Sequence, residues 1–232
     1  MTIKSLKEIG YDVILEAFNL SFSDYFIPVS VNYSQFTTKL KSHDIDLSLS
    51  VGAFDKGKLV GFILHCTLPY LSNSVAYNLG TGVIPNARGQ NLTVRMYEHI
   101  IPIISNTDCD KIQLEVITKN SPAIDSYKKS GFKINMHLLC FRGVPRTKKA
   151  NSDCSYEELK KFDWEHLQSF WTSNPTIQNS PALIENRFQE LTSIGAYKDE
   201  ELIGYIVFNQ NERIFCNWQL TPSLDCKVWA AY

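Results

Sequence analysis

No run of apolar residues approaches the roughly 20 needed to cross a bilayer as a helix, and none of the six cysteines forms a C-x-x-C pair. The first absence argues against a helical membrane span. The second removes the usual zinc and dithiol signatures. Cys66, Cys109, Cys140, Cys154, Cys216 and Cys226 are scattered, as are the five histidines, so no metal site is expected. Several cysteines lie in apolar runs such as Leu138-Leu139-Cys140-Phe141 and read as small buried hydrophobes in a reducing compartment. The N-terminal residues lack the apolar core and cleavage site of a signal peptide. A soluble cytoplasmic protein, without a membrane association, is the expectation. Basic residues do not cluster with aromatics on one element and the pI is near 6.5, which argues against a nucleic-acid partner.

What is present is ordinary globular material. The 232 residues are 44% hydrophobic with a net charge of −1, enough for one large domain or two small ones. Charge is uneven: residues 1–150 carry 17 basic and 12 acidic side chains, and 151–232 carry 6 and 12. A basic first half suits a polyanionic ligand, although the two halves could equally attract each other.

Hydrophobic periodicity predicts helices at 11–20 and 33–40, then strands at 48–54 and 59–67 around the turn Asp55-Lys56-Gly57-Lys58. A strand at 75–83, a helix at 92–104, a strand at 111–117, a short helix at 122–129 and a last strand at 132–141 follow. The order implies a mixed α/β (α+β) fold with a partly parallel central sheet flanked by helices. Residues 146–153 are polar and aperiodic, a linker placed at 144–154. Helical segments at 155–171 and 181–191 precede a second hairpin. That hairpin repeats the first: Gly52-Ala53-Phe54 through Gly61-Phe62-Ile63 aligns without gaps on Gly195-Ala196-Tyr197 through Gly204-Tyr205-Ile206, at an offset of 143. The spacing predicts a tandem repeat, with domains at 1–143 and 155–232, the second incomplete.

Two stretches carry chemistry. In Val83-Ile84-Pro85-Asn86-Ala87-Arg88-Gly89-Gln90-Asn91-Leu92-Thr93 a β-branched strand passes through a short polar loop into a helix. Unpaired N–H groups and the positive helix end make this an anion seat. Gly89 permits close backbone approach and Arg88 adds charge. In Asn120-Ser121-Pro122-Ala123-Ile124-Asp125-Ser126-Tyr127-Lys128-Lys129-Ser130-Gly131-Phe132, Asn120 sits at an N-cap and Gly131 at a left-handed helix end. On that reading alone Tyr127 is half-buried packing.

Together these stretches resemble the GNAT superfamily of acyl-CoA N-acyltransferases over about residues 1–143. Val83, Pro85, Arg88 and Gly89 match the first family motif, Val-x-Pro-x-x-Arg-Gly-x-Gly-x-Gly/Ala. Asn91 and Thr93 stand where its two core glycines would be. Asn120, Ala123, Tyr127, Gly131 and Phe132 match the second, Asn-x-x-Ala-x-x-x-Tyr-x-x-x-Gly-Phe, at every position.

The resemblance implies direct acetyl transfer from acetyl-CoA, as co-substrate, to a small-molecule or peptide amine. It implies a pyrophosphate seat at Arg88, Gly89, Gln90, Asn91, Leu92 and Thr93, and a cofactor arm along Val83 and Ile84. A backbone N–H near Val83 would meet the oxyanion, Asn120 would lie near the cofactor arm, and Tyr127 would protonate the leaving thiolate. Glu115, alternating with Leu114 and Val116, is the candidate base; it reads equally as a solvated strand residue, and a water chain could serve instead. Asn91 tolerates a left-handed conformation, whereas the branched Thr93 narrows the seat or donates a hydroxyl. A GNAT-like acyl-CoA sensor or protein-binding module without turnover is the alternative. The aromatic and acidic segment 22–28 is a candidate acceptor wall, or a lid. In the second copy, Leu220-Thr221-Pro222 aligns with Val83-Ile84-Pro85 and Asp225 replaces Arg88, so no second active site is expected. A half-domain of this kind would pack against the first domain or another chain, a homodimer being one arrangement.

Overall fold

The computed structural model describes residues 1–26, 28–139, 153–209 and 214–220. It divides into two compact units, Met1–Asn135 and Met136–Tyr232. Most of the linker expected at 144–154 lies outside the described residues.

In the first unit β1 (Thr2–Ser5) precedes α1 (Tyr11–Phe22) and α2 (Tyr33–Ser42). The meander β2 (Ile45–Asp55), β3 (Lys58–Tyr70) and β4 (Asn73–Val83) follows, then α3 (Leu92–Ile104), β5 (Lys111–Leu114) and α4 (Ser121–Lys129). The sheet order is β1-β2-β3-β4-β5. Every pair is antiparallel except β4–β5, which is parallel over Val75–Asn78. Alternation along β3 sorts the layers. Phe62 and Leu64 pack with Ile14 and Phe18 of α1 and Phe36 of α2. Ile63, between them, packs with Met96, Tyr97 and Ile100 of α3. α2 starts at a capping box, with Asn32 Oδ1 accepting from the Gln35 N–H and Gln35 Oε1 accepting from the Asn32 N–H, both at 2.9 Å. α1 crosses β4 closely: a Cβ at Gly82 would stand 2.8 Å from Ser21 Cβ and 2.5 Å from the Phe62 ring.

In the second unit β6 (Ser155–Glu158) precedes α5 (Trp164–Gln168) and α6 (Pro181–Asn186). β7 (Thr192–Lys198), β8 (Glu201–Asn209) and β9 (Ile214–Leu220) complete an antiparallel sheet of order β6-β7-β8-β9. The element order β-α-α-β-β-β is that of β1 through β4, and the registers coincide. Gly52 pairs with Phe62 and Ala53 with Gly61; Gly195 pairs with Tyr205 and Ala196 with Gly204. A bulge follows Ala53 in one hairpin and Ala196 in the other. A Cβ on Gly52 would strike Leu59, Leu6 and Phe54; one on Gly195 would strike Leu202, Leu159 and Tyr197.

Three sequence expectations change. The alternating run 132–141 forms no strand over its described residues 132–139, since alternation without a neighbour to complete a ladder is not a strand. β5 ends at Leu114 rather than residue 117. Residues 155–158, expected as helix, are β6: pairing of Ser155 with Tyr197 and of Glu158 with Ile194 overrides local preference. The helix there is confined to Trp164–Gln168, where Asp163 Oδ1 accepts from the His166 N–H at 3.2 Å.

His65 on β3 is fully buried. Its Nδ1 lies 2.9 Å from the Leu49 carbonyl, so it is the protonated nitrogen, and buried Nε2 has no partner. Burial, opposed by the Leu49 bond, lowers its pKa from 6.5 to about 4. The unfolded chain therefore binds the extra proton first, and stability is full above the ordinary histidine pKa and falls from there down through about 4. Urea unfolding across that window is expected to lose about 3 kcal/mol from this group. His65→Asn, whose amide can reach Leu49 without titrating, should remove that component. The same slope in both proteins would refute the assignment.

Candidate functional site

The site gathers at the end of β4 beside α3 and α4. The Ile84 N–H donates to the Val60 carbonyl at 3.0 Å. Neighbouring residues of an antiparallel pair alternate, so the N–H and C=O of Val83 point away from β3. β5 has already ended at the level of Asn78. The Val83 carbonyl accepts from Arg88 Nε at 3.1 Å, and its N–H remains directed at that side.

The loop after β4 is a 3₁₀ turn (Pro85–Ala87) followed by two left-handed residues, Gly89 at φ +76° and Asn91 at φ +53°. Gly89 is needed for that conformation and not for space, because a Cβ there meets nothing within 4 Å. Asn91 adopts the conformation expected of it. As N-cap of α3 it leaves the first-turn N–H groups without a side-chain acceptor, so the helix end can receive an anion. Gln90 is exposed, Leu92 is buried under the loop, and Thr93 is half-buried in the first turn.

Arg88 is braced on the protein. Its guanidinium makes a bidentate pair with Asp24, Nη1–Oδ2 and Nη2–Oδ1 both 2.7 Å, and Nη2 also reaches the Ser21 carbonyl at 3.0 Å. With the Nε bond to Val83, this one side chain joins the end of α1 to the end of β4. Asp24 lies within the aromatic segment in which Phe22, Tyr25 and Phe26 follow each other in edge contacts of 5.3 and 5.4 Å.

Tyr127 lies on α4, whose N-cap Asn120 accepts from the Ala123 N–H through Oδ1 at 3.3 Å. Asn120 Nδ2 is 3.5 Å from the Tyr25 hydroxyl. The other end of α4 is a Schellman turn: Gly131 at φ +94° sends its N–H to the Lys128 carbonyl at 3.1 Å, and the Phe132 N–H reaches the Tyr127 carbonyl at 3.0 Å. The turn folds Phe132 onto Tyr127, ring centroids 5.9 Å apart, and both onto Tyr97 at 4.8 and 6.1 Å. Burial raises the Tyr127 pKa, a hydrogen bond with Thr81 lowers it, Tyr25 raises it and Asn78 lowers it. The phenol is protonated at neutral pH.

Val83, which leads into the loop 88–93, packs with Ile84 and Tyr127 against one core cluster, and Asn120 caps the helix that carries Tyr127. Glu115 stands one residue past the end of β5, where its charge acts on Tyr70 near the β3–β4 turn. Sequence reading missed Asn78, Thr81, Tyr97 and the Asp24 partner of Arg88. Asn78 carried a signal, being a residue poorly suited to strands inside Val75-Ala76-Tyr77-Asn78-Leu79.

A family model described as the acetyltransferase (GNAT) family matches residues 12–132. The chain belongs to the GNAT acetyltransferase family. An aminoglycoside acetyltransferase from an uncultured soil metagenomic sample, solved with trehalose, is similar at a TM-score of 0.51 and 15% identity, over 62% of this chain and 95% of that one. The NatC complex bound to Gag peptide and CoA gives 0.47 and 23%, covering 59% and 86%. A transcriptional regulator from Bacillus halodurans gives 0.49 and 19%, covering 61% and 99%. At these identities the likeness is one of fold. No curated protein matches the chain. No helix among the described residues is long and apolar enough to cross a membrane.

Arg88 holds the Asp24 carboxyl below the ordinary carboxylate range, mainly through their hydrogen bonds. The stabilisation this gives the GNAT domain is therefore present above the ordinary carboxylate pKa and lost as pH falls through the lowered value. Asp24→Asn is expected to speed amide exchange at residues 21–26 while leaving exchange in β3 and α3 unchanged. Unchanged exchange at 21–26 would show that the pair does not hold this segment.

Proposed function

We propose that this GNAT protein is an N-acetyltransferase that moves the acetyl group of acetyl-CoA directly to a primary amine of a small molecule or peptide. The observation that carries the reading is Tyr127: a phenol kept protonated by burial, hydrogen-bonded to Thr81, beside the stretch of β4 that β5 has left. The residues present fit the co-substrate. The first-turn N–H groups of α3 have no side-chain cap, and the open space at Gly89 faces no protein atom. Gly89 through Thr93 would hold the pyrophosphate. Val83 and Ile84 would flank the pantetheine arm, with Asn120 near it. Arg88 would act as the frame of the loop, its charge adjoining the phosphates.

In the proposed step the amine forms the C–N bond at the thioester carbon and the C–S bond breaks. The Val83 N–H would stabilise the negative charge on the carbonyl oxygen. Tyr127 would give its proton to the departing sulfur. Glu115 is the proposed acceptor of the proton that the acceptor ammonium loses to become the attacking neutral amine. Acid and base then serve different atoms. A domain that binds acyl-CoA without turnover is the second reading; it is favoured by the branched Thr93 in the first turn of α3, where the family motif has a glycine or alanine.

The second unit is proposed to repeat the elements β1 through β4 of the first, on the strength of the matched registers and bulges. Asp225 in place of Arg88, and the acidic excess of residues 151–232, make it a poor seat for a polyanion.

Acetyl-CoA is expected to raise the melting temperature and to titrate at about one per chain; a stoichiometry of two would overturn the reading of the second unit. Tyr127→Phe should lower kcat by roughly 10²-fold with little change in acetyl-CoA affinity. Binding without release of free thiol across an amine panel would support the non-catalytic reading. Glu115→Gln with unchanged turnover would leave proton removal to water.

A further inference from the structure

Asn78 is 4% exposed in the middle of β4, a place where an amide is unfavourable unless its polar atoms are paired. Its Nδ2 donates to the Thr81 hydroxyl at 2.8 Å and to the Tyr97 hydroxyl at 2.6 Å, while buried Oδ1 has no partner. Residues three apart in a regular strand face opposite sides of the sheet. Here a bulge intervenes: Gly80 pairs with Leu64 and Asn78 with His65, so Leu79 is the extra residue. The bulge turns Asn78 and Thr81 to the same side, that of Tyr97 and Tyr127.

We infer that Asn78 is a positioning residue for Tyr127, acting through Thr81 and Tyr97 and brought into place by the bulge at Leu79. The inference rests on the reading of Tyr127 as the acid. The Asn78 amide nitrogen is directed at hydroxyl oxygens, those of Thr81 and Tyr97 at 2.8 and 2.6 Å, and it also acts on the Tyr127 phenol. Each hydroxyl keeps its own proton for another acceptor, and in the arrangement we infer Thr81, which acts on the Tyr127 phenol, gives its proton to the Tyr127 oxygen. Tyr127 is then an acceptor on its inner side, and its O–H is left to donate outward, toward the leaving sulfur. An acceptor at position 78 would reverse the chain: Thr81 would donate to it, and Tyr127 would turn its proton inward to Thr81.

The second unit supports this independently. β9 carries a bulge at the equivalent place, Asn217 pairing with Val207 and Phe215 with Phe208, so Cys216 is the extra residue. The register positions of Asn78 and Thr81 are occupied there by Phe215 and Trp218. The bulge is thus formed without the polar pair. Folding alone does not account for a buried amide with an unsatisfied carbonyl.

The test is a double-mutant cycle in the full chain with acetyl-CoA and a turned-over amine. Thr81→Val, which keeps the shape and removes the hydroxyl, should lower kcat about tenfold with KM for acetyl-CoA within about twofold. Thr81→Ser should restore most of the rate. In a Tyr127→Phe background Thr81→Val should cost nothing further, because its effect passes through the phenol. Additive losses, or a Thr81→Val enzyme as fast as wild type while Tyr127→Phe is slow, would overturn the inference and leave the acid intact. A Tyr127→Phe enzyme of full activity would remove the acid reading itself. Melting temperatures of each variant separate a folding loss from a loss of alignment.

Discussion

Beyond Asn78, β4 has no β5 beside it, and its backbone groups on that side must be met by something other than a strand. The ladder is fastened at its far end: the Asp110 N–H donates to the Ser74 carbonyl at 2.9 Å, and Asp110 Oδ2 accepts from the Ser74 N–H at 2.7 Å. It is only four residues long. Arg88 reaches back to take the Val83 carbonyl, which leaves the Val83 N–H facing the gap. β4 thus runs on past the end of its parallel neighbour, and its last residues lead into a loop and a helix end whose first-turn N–H groups have no side-chain cap.

The same arginine also links the two layers. The guanidinium of Arg88 joins the end of α1, on one face of the sheet, to the loop that starts α3, on the other. The aromatic segment after α1 is therefore placed relative to the loop between β4 and α3 by one side chain. The pair with Asp24 is solvent-exposed and so contributes little to global stability, yet it fixes geometry across the sheet. A loss of function on removing it would reflect misplacement more than unfolding.

The parts legible in sequence were those whose cause is local. The start and end of α3 follow from its apolar spacing, and the Gly131 turn follows from the chirality of a helix end. The left-handed Asn91 follows from what its side chain tolerates. The hairpin repeat could be read because bulge position and glycine contacts leave a residue-by-residue imprint. What escaped depends on partners far along the chain. β6 is four exposed residues held by β7, and no local pattern distinguishes it from a helix start. The alternation of 132–139 pointed to a strand for which no neighbour exists among the described residues. Asp24 and Arg88 are 64 positions apart, and the bulge that brings Asn78 to Thr81 is a property of pairing with β3, invisible in β4 alone.

The surroundings of Tyr127 hold two opposed demands in balance. A phenol ordinarily titrates near 10 and a thiol near 8.5, so in the proposed role proton transfer to a departing thiolate would run uphill, and burial, which raises the phenol further, would make it steeper. On that proposal burial would keep the proton in place until the C–S bond weakens. The hydrogen bonds with Thr81 and Asn78 act on the other state: they lower the pKa of Tyr127, which means that they favour the phenolate left once the proton has gone. Tyr97, more deeply buried and with its own pKa raised well above the ordinary value, cannot take up that charge and stays a neutral neighbour. The apolar walls of Phe132 and Tyr97 thus favour the neutral phenol, and the amide and hydroxyl of β4 favour the phenolate. Only the second half of that balance requires the bulge, since without it Thr81 and Asn78 would lie on opposite faces of the sheet.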